Sequence, residues 1–139
     1  MQKVLYFGHP INVYDTDLER SLLHRIGLGF PGWYVENPNQ KKHDEGYARY
    51  KRETGRPMDY YTIEVLPKCH GGVFLPFRDG TWGAGVFKEM EAIAGRGCPI
   101  WQISWDGHIL AARLDTAYVL SVEQTRARIR DAAGNPLPY

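Results

Sequence analysis

The sequence predicts a single α/β domain over residues 1–139, a Rossmann- or flavodoxin-like three-layer sandwich with about five parallel strands flanked by helices. Three observations lead to this class. Short apolar runs alternate with segments of helical periodicity, which is typical of a parallel sheet wrapped by helices. The run GVFLPF at 72–77 is continuously apolar, as expected for a central strand buried on both faces. The chain is long enough for one hydrophobic core but too short for two domains.

The predicted strands are short apolar stretches bounded by turn residues. They cover residues 4–7, 33–35, 72–77, 99–104 and 118–120. Pro76 has no backbone N–H to donate, so the third strand is expected to end there, where the chain leaves the sheet. Residues 106–116 fit neither a helix nor a strand pattern and stay unassigned.

The predicted helices are recognised by apolar residues at helical spacing or by capping signals. They cover residues 16–27, 40–54, 56–66, 84–94 and 122–131. In the first helix, Thr16 and Glu19 match a capping box, and Gly27 is expected to end the helix. Residues 40–54 carry few apolar side chains, so this helix is expected to lie on the surface. The buried face of the fourth helix is expected to consist of Val86, Phe87, Met90 and Ile93.

The composition excludes several classes of function. The 17 Lys and Arg residues are spread among 16 Asp and Glu residues, so no basic patch for a nucleic acid polymer is evident. The sequence has no signal-peptide pattern and no apolar run of membrane-spanning length, so we expect a cytoplasmic protein without a membrane partner. Cys69 and Cys98 have neither disulfide-framework nor metal-ligand spacing, and we expect reduced thiols, no metal and no cofactor.

Two loops are expected to meet at the carboxyl edge of the sheet, where ligands bind in such folds. GHPINVYDT follows the first strand, and RDGTWGAG follows the third strand and leads into the helix with Glu89. Gly80, Gly83 and Gly85 would let a ligand approach the backbone at a helix N-terminus. Glu89 lies beside the apolar face of that helix, whereas Glu91 is rotated by about 200° and should face solvent. A carboxylate at Glu89 could attack the electron-poor carbon of a glycosidic bond.

The nucleoside 2-deoxyribosyltransferase family, with the related nucleoside monophosphate N-glycosidases, has blocks that this sequence resembles. The matching segments are VLYFGHPINVYDTD, FPGWYVENPN and FLPFRDGTWGAGVFKEMEAIAGRGCPIW. In that family a glycine-rich loop precedes the helix with the nucleophilic Glu, and the interval from Glu89 to Pro99 matches the family spacing. The resemblance implies an enzyme that cleaves the N-glycosidic bond of a nucleoside or nucleotide and passes the sugar to another base or to water.

The resemblance also implies site residues. A family Asp or Ser before the glycines contacts the sugar, and Asp79 and Thr81 are the alternatives here. A family Asp on the helix before the middle strand protonates the base, for which Asp59 is the first choice and Glu64 the reserve. Other predicted substrate-binding residues lie in the first strand, the two loops and the C-terminal tail: Tyr6, Gly8, His9, Trp82, Gly83, Gly85 and Tyr139.

Two of these residues have specific predicted roles. Trp82 lies between glycines in a loop, so it is expected to stack on the base rather than to pack in the core. Members of the resembled family are oligomers, so we expect a homodimer or a higher homo-oligomer. The terminal Tyr139 could then reach a catalytic pocket, as a C-terminal aromatic residue does in some of those members.

The sequence leaves the substrate and the class of protein open. The first loop contains neither Arg nor Ser, which favours an unphosphorylated nucleoside over a 5′-monophosphate, although Arg78 could contact a phosphate. A non-catalytic nucleotide-binding or sensing module on the same scaffold is the main alternative, because a fold does not determine a function. A flavodoxin-like binding domain is a weaker alternative, since no long Ser/Thr-rich phosphate loop is present.

Overall fold

The structure, a computed structural model that describes residues 2–139, is an α/β fold with a five-stranded, mostly parallel sheet. The predicted fold class is confirmed. The strands are β1 (Val4–Gly8), β2 (Tyr34–Glu36), β3 (Gly71–Phe74), β4 (Ile100–Ile103) and β5 (Ile109–Ala111). The α-helices are α1 (Asp17–Gly29), α2 (Lys41–Thr54), α3 (Ala84–Gly95) and α4 (Val122–Ile129). None of the helices within residues 2–139 has the length and apolar character that crossing a bilayer requires.

The strand order β2-β1-β3-β4-β5 creates a crevice at one edge of the sheet. β1 pairs in parallel with both β2 and β3, with Leu5 opposite Val35 on one side and Gly71 on the other. β3 pairs in parallel with β4. The connection from β1 to β2 and the connection from β3 to β4 run in opposite directions. The carboxyl ends of β1 and β3 therefore flank a topological switch point, where ligands bind in open α/β sheets.

The fifth strand is β5, not the predicted strand at 118–120. Ser104 N–H donates to the carbonyl of His108 at 2.8 Å, and Gly107 has φ +92°, so the chain turns back on β4 as an antiparallel hairpin. The Asp106-Gly107 dipeptide is a sequence signal for such a turn. Because the hairpin occupies this edge of the sheet, residues 118–120 make only an isolated bridge, between Val119 and Trp82.

Alternation along β1 divides the core between the two faces of the sheet. Leu5 and Phe7 pack in a cluster that includes Ile26 of α1. Tyr6 points to the opposite face and packs in a cluster that includes Met90 of α3. Helices therefore cover both faces, as predicted, and the alternation turns the Tyr6 side chain towards α3.

Three predicted helices differ from the observed elements in detail. α1 continues to Gly29, so Gly27 lies inside the helix rather than at its end. The 56–66 segment is not a regular α-helix, since Tyr61–Val65 forms a π-helical turn that runs into a 3₁₀ turn at Leu66–Lys68. The predicted surface helix is confirmed as α2, although it buries His43 and Gly46.

Candidate active site

A cavity of about 550 Å³ opens at the carboxyl ends of β1 and β3. Its wall is formed by the end of β1 and the loop after it, by α2, by the first turns of α3 and by one face of α4. The volume lies within the range of small-molecule sites in proteins. The cavity thus lies at the crevice that the strand order predicts, and residues of helices form its sides.

Glu89 lies on the cavity wall, on the face of α3 that is turned towards the sheet. Only 8% of the residue is exposed. The Tyr6 hydroxyl donates a hydrogen bond to Oε2 of Glu89. Among residues 2–139 no donor reaches Oε1 of the same carboxyl. One carboxyl oxygen is therefore held in place, while the other is available to a ligand. The prediction that Glu91 faces solvent is confirmed.

Burial raises the pKa of Glu89 to about 8, and the hydrogen bond from Tyr6 opposes part of this shift. Burial raises the pKa because a charged carboxylate loses hydration in the protein interior. The Tyr6 bond lowers the pKa because it stabilises the ionised carboxylate. Titration near neutral pH is characteristic of catalytic carboxyl groups, although structural groups can show it too.

Gly8 ends β1 and leaves room for the Glu89 carboxyl. A Cβ at this position would lie 2.6 Å from the ring of Phe74 and 3.2 Å from Oε1 of Glu89. A side chain at residue 8 would therefore displace the Phe74 ring or the Glu89 carboxyl. Gly8 does not itself line the cavity, so it makes room for Glu89, and its predicted contact with a substrate stays a prediction.

Two further tyrosines, Tyr14 and Tyr61, line the cavity together with Tyr6. Burial raises the pKa of both hydroxyls, and the Glu89 carboxylate raises it further. The two hydroxyls therefore keep their protons at neutral pH. They can donate to, or accept from, the oxygens of a sugar.

The ring of His9 lies at the cavity, but both of its nitrogens are already engaged within the protein. Nδ1 lies 3.0 Å from the carbonyl oxygen of Phe7, and Nε2 lies 2.7 Å from Oε2 of Glu19. His9 also stacks on Phe7, with 4.1 Å between ring centroids. The predicted direct contact from His9 to a sugar or phosphate oxygen is therefore blocked. The residue instead fixes the loop that bears Tyr14.

Glu19 explains why His9 is held in this way. Its carboxylate accepts hydrogen bonds from His9, from the Asn39 side chain and from the backbone N–H of Asp15. Burial raises the pKa of Glu19, but the bonds from His9 and Asn39 outweigh it, so the pKa is lowered. The predicted cap at Thr16 is confirmed, since its hydroxyl accepts from Glu19 N–H at 3.2 Å. The reciprocal bond of a capping box is absent because the carboxylate turns to His9.

The predicted proton donors do not reach the cavity. Asp59 is half-buried and does not line the cavity, and Glu64 pairs with Arg49 on the surface at 2.7 Å. Asp44 of α2 does line the cavity. Sequence reasoning missed Asp44 because it placed the acid on the segment just before β3. α2 packs beside that segment through His43, whose Nδ1 lies 2.8 Å from the Tyr60 hydroxyl.

The first half of the glycine-rich loop also lies outside the cavity. Asp79 accepts hydrogen bonds from Thr81 and forms an ion pair with Arg128 of α4. The Arg128 guanidinium, and next the Thr81 bonds, hold the pKa of Asp79 well below its usual range. Neither Asp79 nor Thr81 lines the cavity, and nor does Gly80, whereas Gly83 and Gly85 do. Of the loop's predicted binding residues, the structure thus brings the last two glycines to the site.

Trp82 is a core residue, so the prediction that it is poorly placed for the core is wrong. Only 5% of Trp82 is exposed, and it packs in the same cluster as Met90. Its backbone N–H donates to Tyr118 and its carbonyl accepts from Leu120, both at 2.9 Å. These two bonds hold the loop against the 118–120 segment and turn the indole inward. Stacking on a base in the cavity is not available to it.

Tyr139 lies in a second, smaller cavity of about 140 Å³. Its ring is 5.4 Å from that of Trp105, and the guanidinium of Arg78 lies over both rings. Within one chain, neither Tyr139 nor Arg78 reaches the cavity that contains Glu89. A role for Tyr139 in the cavity of another copy of the chain stays a prediction.

α4 contributes a wall that the sequence did not point to. One face of this helix and the residue that follows it line the cavity, with a spacing of three and four positions: Val122, Thr125, Arg126, Ile129 and Arg130. None of the residues of α4 is buried, so the helix covers the cavity rather than building the core. The Thr125 hydroxyl accepts from Ala84 N–H at 2.9 Å and joins α4 to the start of α3. The spacing of Val122, Arg126, Ile129 and Arg130 in the sequence was the signal that could have indicated this wall.

Comparison of the chain with protein-family models, with curated proteins and with solved structures found no match.

Proposed function

We propose that this protein cleaves the N-glycosidic bond of a nucleoside or nucleotide, with Glu89 as the nucleophile. The observation that supports this most strongly is a buried carboxyl on the wall of a cavity of about 550 Å³, with one oxygen held by Tyr6. Burial removes water that would otherwise compete for the carboxylate. The Tyr6 bond orients it, which a reacting group needs.

The reaction has two steps. In the first, a carboxylate oxygen of Glu89 forms a bond to C1′ of the sugar while the bond from C1′ to the base nitrogen breaks. The base leaves with that electron pair and takes up a proton, and the sugar remains as an ester of Glu89. In the second step, water or the nitrogen of another base bonds to C1′ and gives its proton to the group that protonated the first base, and the ester bond breaks to restore the carboxylate.

Asp44 is the proposed source of the proton for the departing base. Asp44 and Glu89 are the two carboxyl groups among the residues that line the cavity. Glycoside cleavage of this kind uses one carboxyl as the nucleophile and a second as the acid. Asp44 thus replaces Asp59, the proton donor that was predicted from the sequence.

The apolar part of the cavity is suited to a planar base. Tyr47 and Met58 line it and are 38% and 40% exposed, and Tyr61, three residues after Met58, lines it as well. Aromatic rings and a flexible thioether pack well against the flat face of a base. These three residues replace Trp82 as the proposed base contacts.

The burial of Glu89 also favours an enzyme over the sensing module. A buried carboxyl with a raised pKa costs stability at neutral pH, because ionisation is then easier in the unfolded chain. A protein that only binds a nucleotide gains nothing from this cost. A nucleophile does gain from burial, because water then does not compete for its carboxylate.

The direct test is release of free base from a panel of deoxynucleosides and their 5′-monophosphates. The parent protein is expected to release base from at least one of them, and Glu89→Gln to reduce turnover by about a thousandfold or more. Addition of a second base distinguishes transfer from hydrolysis, because transfer forms a new nucleoside. Ligand binding without base release by the parent protein would favour the sensing module instead.

Glu91→Gln is the matched control, since it makes the same change two residues away on the exposed side of α3. It is expected to keep turnover within about twofold of the parent. In the same assay Asp44→Asn, but not Asp59→Asn, is expected to lower turnover. Melting temperatures of all variants distinguish loss of chemistry from loss of folding. Near-normal turnover of Glu89→Gln would exclude Glu89 as the nucleophile.

A further inference from the structure

Three basic side chains line the cavity on the side that is formed by α3, α4 and the residue after α4. Arg126 lies in α4, Arg130 directly follows the last residue of that helix, and Lys88 comes from α3. Among residues 2–139, no carboxylate lies within 4.0 Å of their charged nitrogens. Arg130 uses one N–H to bind the carbonyl of Gly134 at 3.0 Å and retains its other donors. Within residues 2–139, these three charges therefore lack a counterion.

Arg128, which is also on α4, differs from these three cations because it has a carboxylate partner. Arg128 points away from the cavity, where Asp79 accepts its hydrogen bond and neutralises its charge. On the cavity face the acidic residues are Asp44, which comes from α2, and Glu89, which is buried. Positive charges thus outnumber negative ones on this wall, although the whole chain has a formal net charge of only +1.

The start of α3 adds backbone donors on the same side. The Ala84 N–H is taken by Thr125, which ties the first turn of α3 to the cavity face of α4. Gly83 and Gly85 line the cavity, and residue 85 has no side chain to cover its N–H. The first N–H groups of an α-helix have no acceptor within the helix and favour an anion. These backbone N–H groups add to the positive charge of Lys88, Arg126 and Arg130.

We propose that this side of the cavity binds the 5′-phosphate of a nucleoside monophosphate, so that the substrate is a nucleotide rather than an unphosphorylated nucleoside. The inference rests on the proposed function for the identity of the rest of the ligand. Arg126 and Arg130 supply charge-assisted hydrogen bonds to the phosphate oxygens, and Lys88 supplies a third charge.

This assignment reverses the preference that the first loop suggested. The loop after β1 contains neither Arg nor Ser, but the two arginines come from α4 and the residue after it, near the opposite end of the chain, and Lys88 comes from α3. Arg78, the contact that the sequence offered for a phosphate, lies with its guanidinium 4.4 Å from the centroid of the Trp105 ring in the second cavity.

The test compares the affinities of matched pairs, each a deoxynucleoside and its 5′-monophosphate, measured by calorimetry. The Glu89→Gln protein is used so that no turnover occurs during the titration. It is expected to bind the monophosphate about 10- to 100-fold more tightly than the nucleoside. Inorganic phosphate is expected to compete with the monophosphate, and added salt to reduce the preference.

Arg126→Gln/Arg130→Gln in the same background is expected to abolish the preference while affinity for the nucleoside stays unchanged. The matched control is Lys51→Gln/Arg52→Gln, which removes the same charge from exposed positions of α2 away from the cavity. This control should retain the preference. Lys88→Gln, which leaves α4 intact, is expected to reduce the preference and tests the site if the double variant fails to fold.

Equal affinity for both members of each pair would overturn the phosphate site, as would a preference that survives the double substitution. Base release from unphosphorylated nucleosides, together with equal affinities, would overturn this inference and leave the proposed function standing. A clear phosphate preference without base release by the parent protein would leave the phosphate site standing and overturn the proposed function.

Discussion

The hydroxyl of Tyr6 connects β1 to the carboxyl on α3 that we assign as the nucleophile. Tyr6 is fully buried between Leu5 and Phe7, which point to the other face. Burial and the nearby Glu89 carboxylate raise the pKa of Tyr6, so the hydroxyl remains a donor. The bond that it donates stabilises the ionised form of Glu89 and therefore lowers the pKa of that carboxyl.

Tyr6→Phe removes this bond, so the pKa of Glu89 is expected to rise above its present value of about 8. A nucleophile must be ionised, so on a deoxyriboside whose leaving group departs without a proton, such as p-nitrophenolate, kcat/KM of the parent should rise with pH through that pKa. In Tyr6→Phe this rise of kcat/KM should occur at higher pH. The measurement is a pH profile of kcat/KM from about pH 5 to about pH 10.

Tyr118→Phe is the control for this profile, because Tyr118 is 69% exposed and does not line the cavity. Its profile should match that of the parent. A kcat/KM that falls with pH through the same range would contradict the nucleophile assignment, since it would mean that Glu89 acts in its protonated form.

At the scale of elements, α1 and α2 each contain a glycine whose replacement should have opposite effects. Gly27 of α1 is exposed, and a Cβ there would meet nothing within 4 Å. A Cβ at Gly46 of α2 would lie 2.1 Å from the ring of Tyr60. That ring is buried, and its hydroxyl lies 2.8 Å from His43 Nδ1, so it cannot move aside freely.

Gly27→Ala is expected to stabilise the protein by about 0.5–1 kcal/mol, because alanine loses less backbone entropy in a helix. Gly46→Ala should instead destabilise it by about 1–3 kcal/mol, because the methyl group overlaps the Tyr60 ring. Urea unfolding of the two variants and the parent measures both changes. Equal stabilisation by both substitutions would show that α2 does not pack on Tyr60 as described.

At the scale of the whole molecule, the C-terminal tail crosses from α4 to the loop after β4. Leu137 N–H donates to the carbonyl of Ile129 at 2.9 Å, and the Tyr139 ring packs on Trp105. The indole N–H of Trp105 in turn donates to the Pro76 carbonyl at 3.1 Å, beyond the end of β3. The tail thus joins α4 to the loops that follow β3 and β4.

Removal of 137–139 is expected to cost about 1 kcal/mol of stability, because an aromatic pair and a cation–π contact are lost. Turnover of the folded protein should stay close to that of the parent, since Tyr139 lies outside the cavity with Glu89. Melting temperature, oligomer size and turnover of the truncated and full chains measure this. Reduced turnover at an unchanged melting temperature would instead indicate that Tyr139 enters the cavity of another copy.

Much of the fold, and the position of Glu89, could be predicted from the sequence. The apolar runs that became β1, β3 and β4 and the helical spacing of α3 are local patterns, set by residues two to four positions apart. The same spacing places Glu89 at the buried face and Glu91 in solvent. The Gly-rich loop ahead of α3 likewise brought Gly83 and Gly85 to the site, because a helix N-terminus follows them directly.

Only the tertiary structure decided which residues share the cavity with Glu89. Tyr6 is 83 positions away from Glu89 in the chain, and their contact depends on which face of β1 the helix α3 covers. Asp44 and Arg126 reach the cavity because α2 and α4 pack around its opening, whereas Trp82 turns inward because backbone bonds hold its loop. Such contacts are determined by the packing of whole elements, and side-chain periodicity within one element carries no information about its neighbours in space.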